Sequence, residues 1–125
     1  MKLVLDTNIL IDKLRGGTKW DELLSEVDKN VEMFLPTVVA FELFSGLSSK
    51  KKLIVEKINE FRKYFHQVDM SWSIAKRAAE IHRDNQNIEA FDCIIAATAI
   101  EIGAQVVTLN KKHFAKIPQV VIYSN

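Results

Sequence analysis

Short apolar segments alternate with longer segments of helical spacing along this chain. Lys2 to Asp6 (KLVLD), Val31 to Leu35, Gln67-Val68, Gln105 to Leu109 (QVVTL) and Val120 to Tyr123 are short, mostly apolar and partly β-branched, which predicts strands, weakest at Gln67-Val68. Between them, Leu53, Ile54, Ile58, Phe61 and Phe65 recur at intervals of three and four and predict an amphipathic helix. Thr37, after Pro36, is positioned to cap a helix running through Leu47, Ser71 to cap one reaching about Asp84, and Gly103 to close one that begins near Ala90. Strands separated by helices predict an α/β domain whose parallel sheet is covered on both faces. In such sheets ligands bind at the carboxyl ends of the strands, so the residues that follow strands are the first candidates for chemistry.

Composition narrows the class without naming a function. The 125 residues carry 17 Lys and Arg against 16 Asp and Glu, a formal net charge of +1, which excludes a wholesale polycation. Local clusters such as Lys50-Lys51-Lys52 and Lys111-Lys112 remain available to phosphates, or simply form a solvated face. With one cysteine, Cys93, neither an intramolecular disulfide nor a multi-thiolate zinc site can form. Four Gly and two Pro leave no linker, so residues 1–125 read as one domain. No run approaches the roughly 18 apolar residues of a membrane span, and a cytoplasmic location is expected.

Four positions stand out chemically. Asp6 ends the first strand and opens Asp6-Thr7-Asn8-Ile9-Leu10-Ile11-Asp12, placing a carboxylate, a hydroxyl and an amide where the chain leaves the sheet; the alternative is that Asp6 or Thr7 only caps the next helix. Glu42 lies within Val38-Val39-Ala40-Phe41-Glu42-Leu43-Phe44, apolar on nearly every side. A lone charge there costs several kcal/mol, so it should hold a cation, pair with a base or face a cleft that Gly46, four residues on, leaves clear; the bland reading is a narrow solvent stripe. Asp92 opens the small-residue helix Phe91-Asp92-Cys93-Ile94-Ile95-Ala96-Ala97-Thr98-Ala99, where it also suits the helix dipole. Asn110 follows QVVTL as Asp6 follows KLVLD, so both are expected at one sheet edge, with Thr108 on the same strand face as Asn110; a turn-forming Asn is the alternative. Hard oxygen donors without thiolate or imidazole partners suit Mg²⁺ or Mn²⁺. His66, His82 and His113 show no metal-ligand spacing and read as structural or surface residues, Cys93 as a packed residue, and Trp20 and Trp72 as core or partner surface.

Taken in order, Asp6 to Asp12, Glu42 with Leu43 and Gly46, Phe91 to Ala99, and Val107-Thr108-Leu109-Asn110-Lys111-Lys112-His113-Phe114 resemble PIN-domain proteins, specifically VapC-type toxins of prokaryotic toxin–antitoxin systems, over almost the whole chain. The resemblance implies a three-layer α/β/α fold around a parallel sheet of about four to five strands. It implies a Mg²⁺-dependent endoribonuclease, with Mn²⁺ as a substitute, that hydrolyses RNA phosphodiesters, is silenced by a cognate antitoxin and forms a homodimer. By motif position Asp6, Glu42 and Asp92 become the metal-holding carboxylates, with Thr7, Asn8 and Thr108 orienting ligands and water. Many relatives place an Asp where this chain has Asn110, which can ligate through its carbonyl but adds no charge. Lys13, Arg15 and Lys111 are candidates for RNA phosphates, and the helices around Trp20 to Val27 and Lys51 to Phe65 for a groove that takes a partner helix.

Two other readings compete. Phosphatases of the haloacid-dehalogenase type also begin with a strand-end Asp, but need a second Asp two residues on, where this chain has Asn8. An inactive PIN-like scaffold that binds RNA or protein would gain nothing from Glu42 in an apolar helix.

Overall fold

A computed structural model describes residues 1–124. Four strands, β1 (Lys2–Leu5), β2 (Glu32–Pro36), β3 (His66–Val68) and β4 (Gln105–Val107), form one sheet in the order β3-β2-β1-β4, and every pairing is parallel. Leu3 pairs with Met33 on one side and Gln105 on the other, and Leu5 with Val107. Leu3, Val4 and Leu5 are successive residues that point to opposite faces, yet all three are fully buried, so helices cover both faces of the sheet. Among the described residues there are seven α-helices: α1 (Thr7–Leu14), α2 (Lys19–Glu26), α3 (Thr37–Ser45), α4 (Lys52–Phe61), α5 (Trp72–Asp84), α6 (Ala90–Ile102) and α7 (Lys111–Ala115). This is the three-layer α/β/α arrangement.

From β1 the chain builds outward through β2 to β3 and then returns to place β4 on the other side of β1. The topology therefore switches direction between β1 and β4, and the carboxyl ends of these two strands flank the crevice where open α/β sheets bind ligands.

Local chemistry explains most element boundaries. Ser71 accepts a hydrogen bond from the Ile74 amide (3.2 Å) and starts α5, and Gly103 ends α6 with a left-handed φ of 69°. α6 is buried nearly all round, at Cys93, Ile95, Ala96, Ala97, Thr98 and Ala99, and its small side chains let it pack closely between α5 and the sheet. Asp12, in the last turn of α1, reaches forward to accept a hydrogen bond from the Lys19 amide (3.1 Å) and so caps α2, whose own Thr18 makes no side-chain cap.

Several boundaries differ from the sequence reading. Pro36, not Thr37, occupies the cap position of α3, and Thr37 is its first helical residue. That helix stops at Ser45 with Gly46 extended (φ −67°, ψ 145°), so Gly46 is not a helix-interior glycine, and a side chain there would meet only ordinary contacts. α4 ends at Phe61, followed by a short 3₁₀ turn over Arg62–Tyr64, because Phe65 must become extended to lead into β3. The fifth expected strand is reduced to a single parallel bridge, Ile122 to Val106. Trp20 packs edge-on against Phe61 and Tyr64, whereas Trp72, at the first position of α5, is 89% exposed.

Candidate metal centre

Asp6 leaves β1 at its carboxyl end, with its backbone amide still in the sheet ladder on the Val107 carbonyl (2.9 Å). Its side chain is buried and doubly held: Oδ1 accepts the Thr7 amide (2.8 Å) and Oδ2 accepts the Thr108 hydroxyl (2.7 Å). The second bond crosses from β1 to the end of β4 and ties the two sides of the topological switch together. Burial pushes the Asp6 carboxyl above its ordinary value, against the hydrogen bonds that favour its charged form.

Thr108 is the hub of this edge. Its hydroxyl has one proton and two lone pairs. The proton goes to Asp6, while the oxygen accepts the Asn110 amide (2.8 Å) and the Asn8 side-chain amide (3.4 Å). Asn8 in turn accepts the Leu109 amide through Oδ1 (3.2 Å). The strand ends at Val107, so Thr108 and Asn110 do not share a strand face as the sequence suggested. The bond from the Asn110 amide to Thr108 curls the chain into α7 instead. Asn110 thus joins the network through its backbone, and among the described residues its side chain makes no hydrogen bond.

Glu42 and Asp92 arrive on α3 and α6. Thr7 turns its hydroxyl to Glu42 Oε1 at 2.6 Å, so one residue orients two carboxylates, that of Glu42 by its side chain and that of Asp6 by its amide. Glu42 is half-buried and its carboxyl is raised, chiefly by burial, with the negative charges of Asp6 and Glu89 adding to the effect. Asp92 is pushed up to about 6, first by burial and then by the charges of Asp6, Glu89 and Glu42. Mutual repulsion of this kind means negative charge without compensation. Indeed, among the described residues no Lys, Arg or His forms an ion pair with Asp6, Glu42 or Asp92.

The donor chemistry fits a hard divalent cation: oxygen ligands, an excess of negative charge and no thiolate or imidazole among them. The set is not closed, since among the described residues no group of three His, Cys, Asp or Glu side chains is arranged to hold a metal ion. Glu89 is the acid that sequence reasoning overlooked. It sits at the cap position of α6 without capping it, and its charge acts on both Glu42 and Asp92. The available signal was its place three residues before Asp92, one turn away across the helix start.

The remaining candidates lie outside this cluster. Lys13 is paired with Asp21 (3.0 Å) on the surface, and Lys111 lines a cavity of about 200 Å³ together with Thr108, Leu109 and Tyr123. His66 lies in β3 against Phe34, and His113 in α7. Cys93 is buried, with its thiol pushed up by burial, and is a packed residue.

The chain and its fold have counterparts among known proteins. Residues 3–120 match the PIN domain model. Ribonuclease VapC19 of Mycobacterium tuberculosis is 32% identical over 120 residues, covering 94% of this chain and 95% of that protein. Among solved structures, VapBC2 from Rickettsia felis, bound to a DNA fragment from its promoter, superposes with a TM-score of 0.85 at 26% identity, covering 98% of each chain. A toxin–antitoxin complex from Klebsiella pneumoniae does so at 0.79 and 27%, covering 98% of this chain and 99% of that one. The chain belongs to the PIN-domain family. Within that family its likeness is to the VapC-type proteins, whose curated members are named ribonucleases.

Proposed function

We propose that this protein is a divalent-metal-dependent endoribonuclease and the toxin of a toxin–antitoxin pair. The observation that carries the reading is the group of mutually repelling carboxylates at the β1/β4 switch point, Asp6 buried and Glu42 and Asp92 half-buried, for which no Lys, Arg or His among the described residues is an ion-pair partner. Family membership gives the direction: the relatives are named ribonucleases, and their solved structures are toxin–antitoxin complexes.

Asp6, Glu42 and Asp92 would hold Mg²⁺, or Mn²⁺ in its place. Bound there, the cation supplies Lewis-acid polarisation of the scissile phosphate and a water of lowered pKa. The chain's own residues do the rest. Thr108 and the Thr7 amide each donate to one oxygen of Asp6 and fix the orientation of its carboxylate. Thr7 fixes Glu42, and Asn8 braces Thr108. Such pre-orientation lowers the reorganisation needed when the substrate phosphate arrives. Asn110 completes the edge as a neutral amide that can orient water, which limits the charge available for a second cation. Lys111, beside Thr108, is placed to meet an RNA phosphate.

An antitoxin helix would find its apolar seat between the start of α2 and the end of α4, where Leu14, Trp20, Phe61 and Tyr64 line a cavity of about 420 Å³ rimmed by Lys13 and Lys57. The protein would act as a homodimer in the cytoplasm; among the described residues no helix is long and apolar enough to cross a membrane.

The decisive experiment incubates antitoxin-free protein with total cellular RNA in Mg²⁺ or Mn²⁺ and maps new 5′ and 3′ ends, beside EDTA and Asp6→Asn controls. Discrete cuts present only in the metal-containing wild-type reaction are expected. Cleavage that survives Asp6→Asn would remove Asp6 from the centre of the mechanism. No cleavage, together with no thermal response to metal, would favour a binding scaffold.

A further inference from the structure

The helices that bring the acids to the site also bring aromatic rings. Phe41 immediately precedes Glu42 on α3, and Phe91 immediately precedes Asp92 on α6. The two rings meet edge to face, with centroids 5.5 Å apart and planes at 82°. This contact bridges α3 and α6 one residue along each helix from a carboxylate. Yet Phe41 is 59% exposed, in a helix whose Val39 and Leu43 are buried. An edge-to-face contact engages the edge of one ring and the face of the other, and it holds both in a fixed orientation. A large apolar ring fixed in water beside a phosphodiesterase centre calls for a flat, apolar-faced ligand attached to a phosphate.

We propose that the Phe41–Phe91 pair is a stacking platform for an unpaired nucleobase next to the scissile phosphate, with Phe41 as the contact residue and Phe91 as its brace. The inference rests on the ribonuclease reading and deepens it. The substrate it favours is single-stranded or looped RNA, because a base within a helix would first have to be unpaired and unstacked, at a cost in free energy, to lie on a protein ring. The platform is tolerant of sequence, since every base has a π-face. It would set the distance between the stacked base and the phosphate, and hence which bond of an unpaired run is cut.

The test has two arms, so that failure of the platform and failure of the nuclease reading can be told apart. In the first arm, single-stranded RNA carrying 2-aminopurine at successive positions is titrated with protein in EDTA, where no metal-dependent cleavage occurs. Wild type should quench at one position; Phe41→Trp should keep this quenching, while Phe41→Leu and Phe41→Ala should lose it. Absence of quenching by wild type, or quenching that persists in Phe41→Leu, overturns the platform whatever the enzyme does. In the second arm, cleavage in Mg²⁺ should show KM rising about 5- to 100-fold in Phe41→Leu, kcat changing much less, and an abasic residue at the quenched position removing the difference between the variants. If wild type quenches but does not cut, the nuclease reading fails and with it the scissile phosphate beside the platform, leaving Phe41 as a base-stacking residue alone. Sedimentation of wild type and Phe41→Ala should give the same mass; a variant that dissociates would reassign the ring pair to contact between copies and overturn the proposal.

Discussion

Thr108 is the residue on which most of the site's order depends. One hydroxyl joins the ends of β1 and β4, turns the chain toward α7 and donates a hydrogen bond to one oxygen of a buried carboxylate. Thr108→Val keeps the shape but leaves Asp6 short of a donor, at a cost of about 1–3 kcal/mol. Thermal melting in EDTA should show a fall of several degrees, and nuclease activity should fall with it. Thr108→Ser, which retains the hydroxyl, should lie close to wild type in both. Asp92 responds in the opposite sense. Because its neighbours repel it, Asp92→Asn should raise the melting temperature of the metal-free protein at pH 7.5 while abolishing cleavage, a combination that simple loss of structure cannot produce. Glu42→Gln should behave similarly but more weakly, since Thr7 already donates to it.

At the scale of elements, α6 shows how a helix can be legible in type and still carry hidden constraints. Its small residues announce close packing, and Gly103 announces its end. A Cβ at Gly103 would meet nothing within 4 Å, so Gly103→Ala isolates the left-handed backbone cost of about 1 kcal/mol. Denaturant unfolding should show that loss with cleavage unchanged. Asp12 is the contrary case. It lies in the same opening motif as Asp6 and has the same chemistry, yet its position in the last turn of α1 sends it to the amide that begins α2, away from the acidic cluster. Replacing Asp12 by Ala should cost about 1 kcal/mol of stability through the lost cap, again read by denaturant unfolding.

For the whole molecule, the carboxylates link charge, metal and stability. Folding raises the Asp92 carboxyl from 3.8 to about 6, so between these pH values the folded state holds a proton that the unfolded state has released. Stability of the metal-free protein should therefore fall as pH rises from about 4 to 6, by less than the full shift implies because Asp92 is half-exposed and its charge is screened by solvent. The raised Asp6 and Glu42 carboxyls push in the same direction. A cation held by the ionised groups would reverse the penalty. Millimolar Mg²⁺ or Mn²⁺ should raise the melting temperature by several degrees at pH 7.5 and much less at pH 4.5, where protons compete with the metal. Calorimetry at the two pH values in Mg²⁺ and in EDTA checks both statements; a metal shift independent of pH would remove the carboxylates from the metal's binding site.

The strand and helix alternation and the parallel sheet with both faces covered were legible in the sequence, because apolar periodicity is a local property, and the acids at positions 6, 42 and 92 stood out there as candidates by their place at a strand end or in apolar helices. Thr37 and Gly46 misled at the ends of α3, where a preceding Pro and an extended glycine shift the boundary by a residue or two. Only the tertiary structure decided that β4 returns beside β1, since strand order depends on contacts between residues a hundred positions apart. That return brings Thr108 onto Asp6 and sets Asn110 by its backbone rather than its side chain, and the packing of α3 on α6 brings the charge of Glu89 to Glu42. Hydrogen bonds and electrostatic repulsion act through space, so no pattern along the chain could have supplied them.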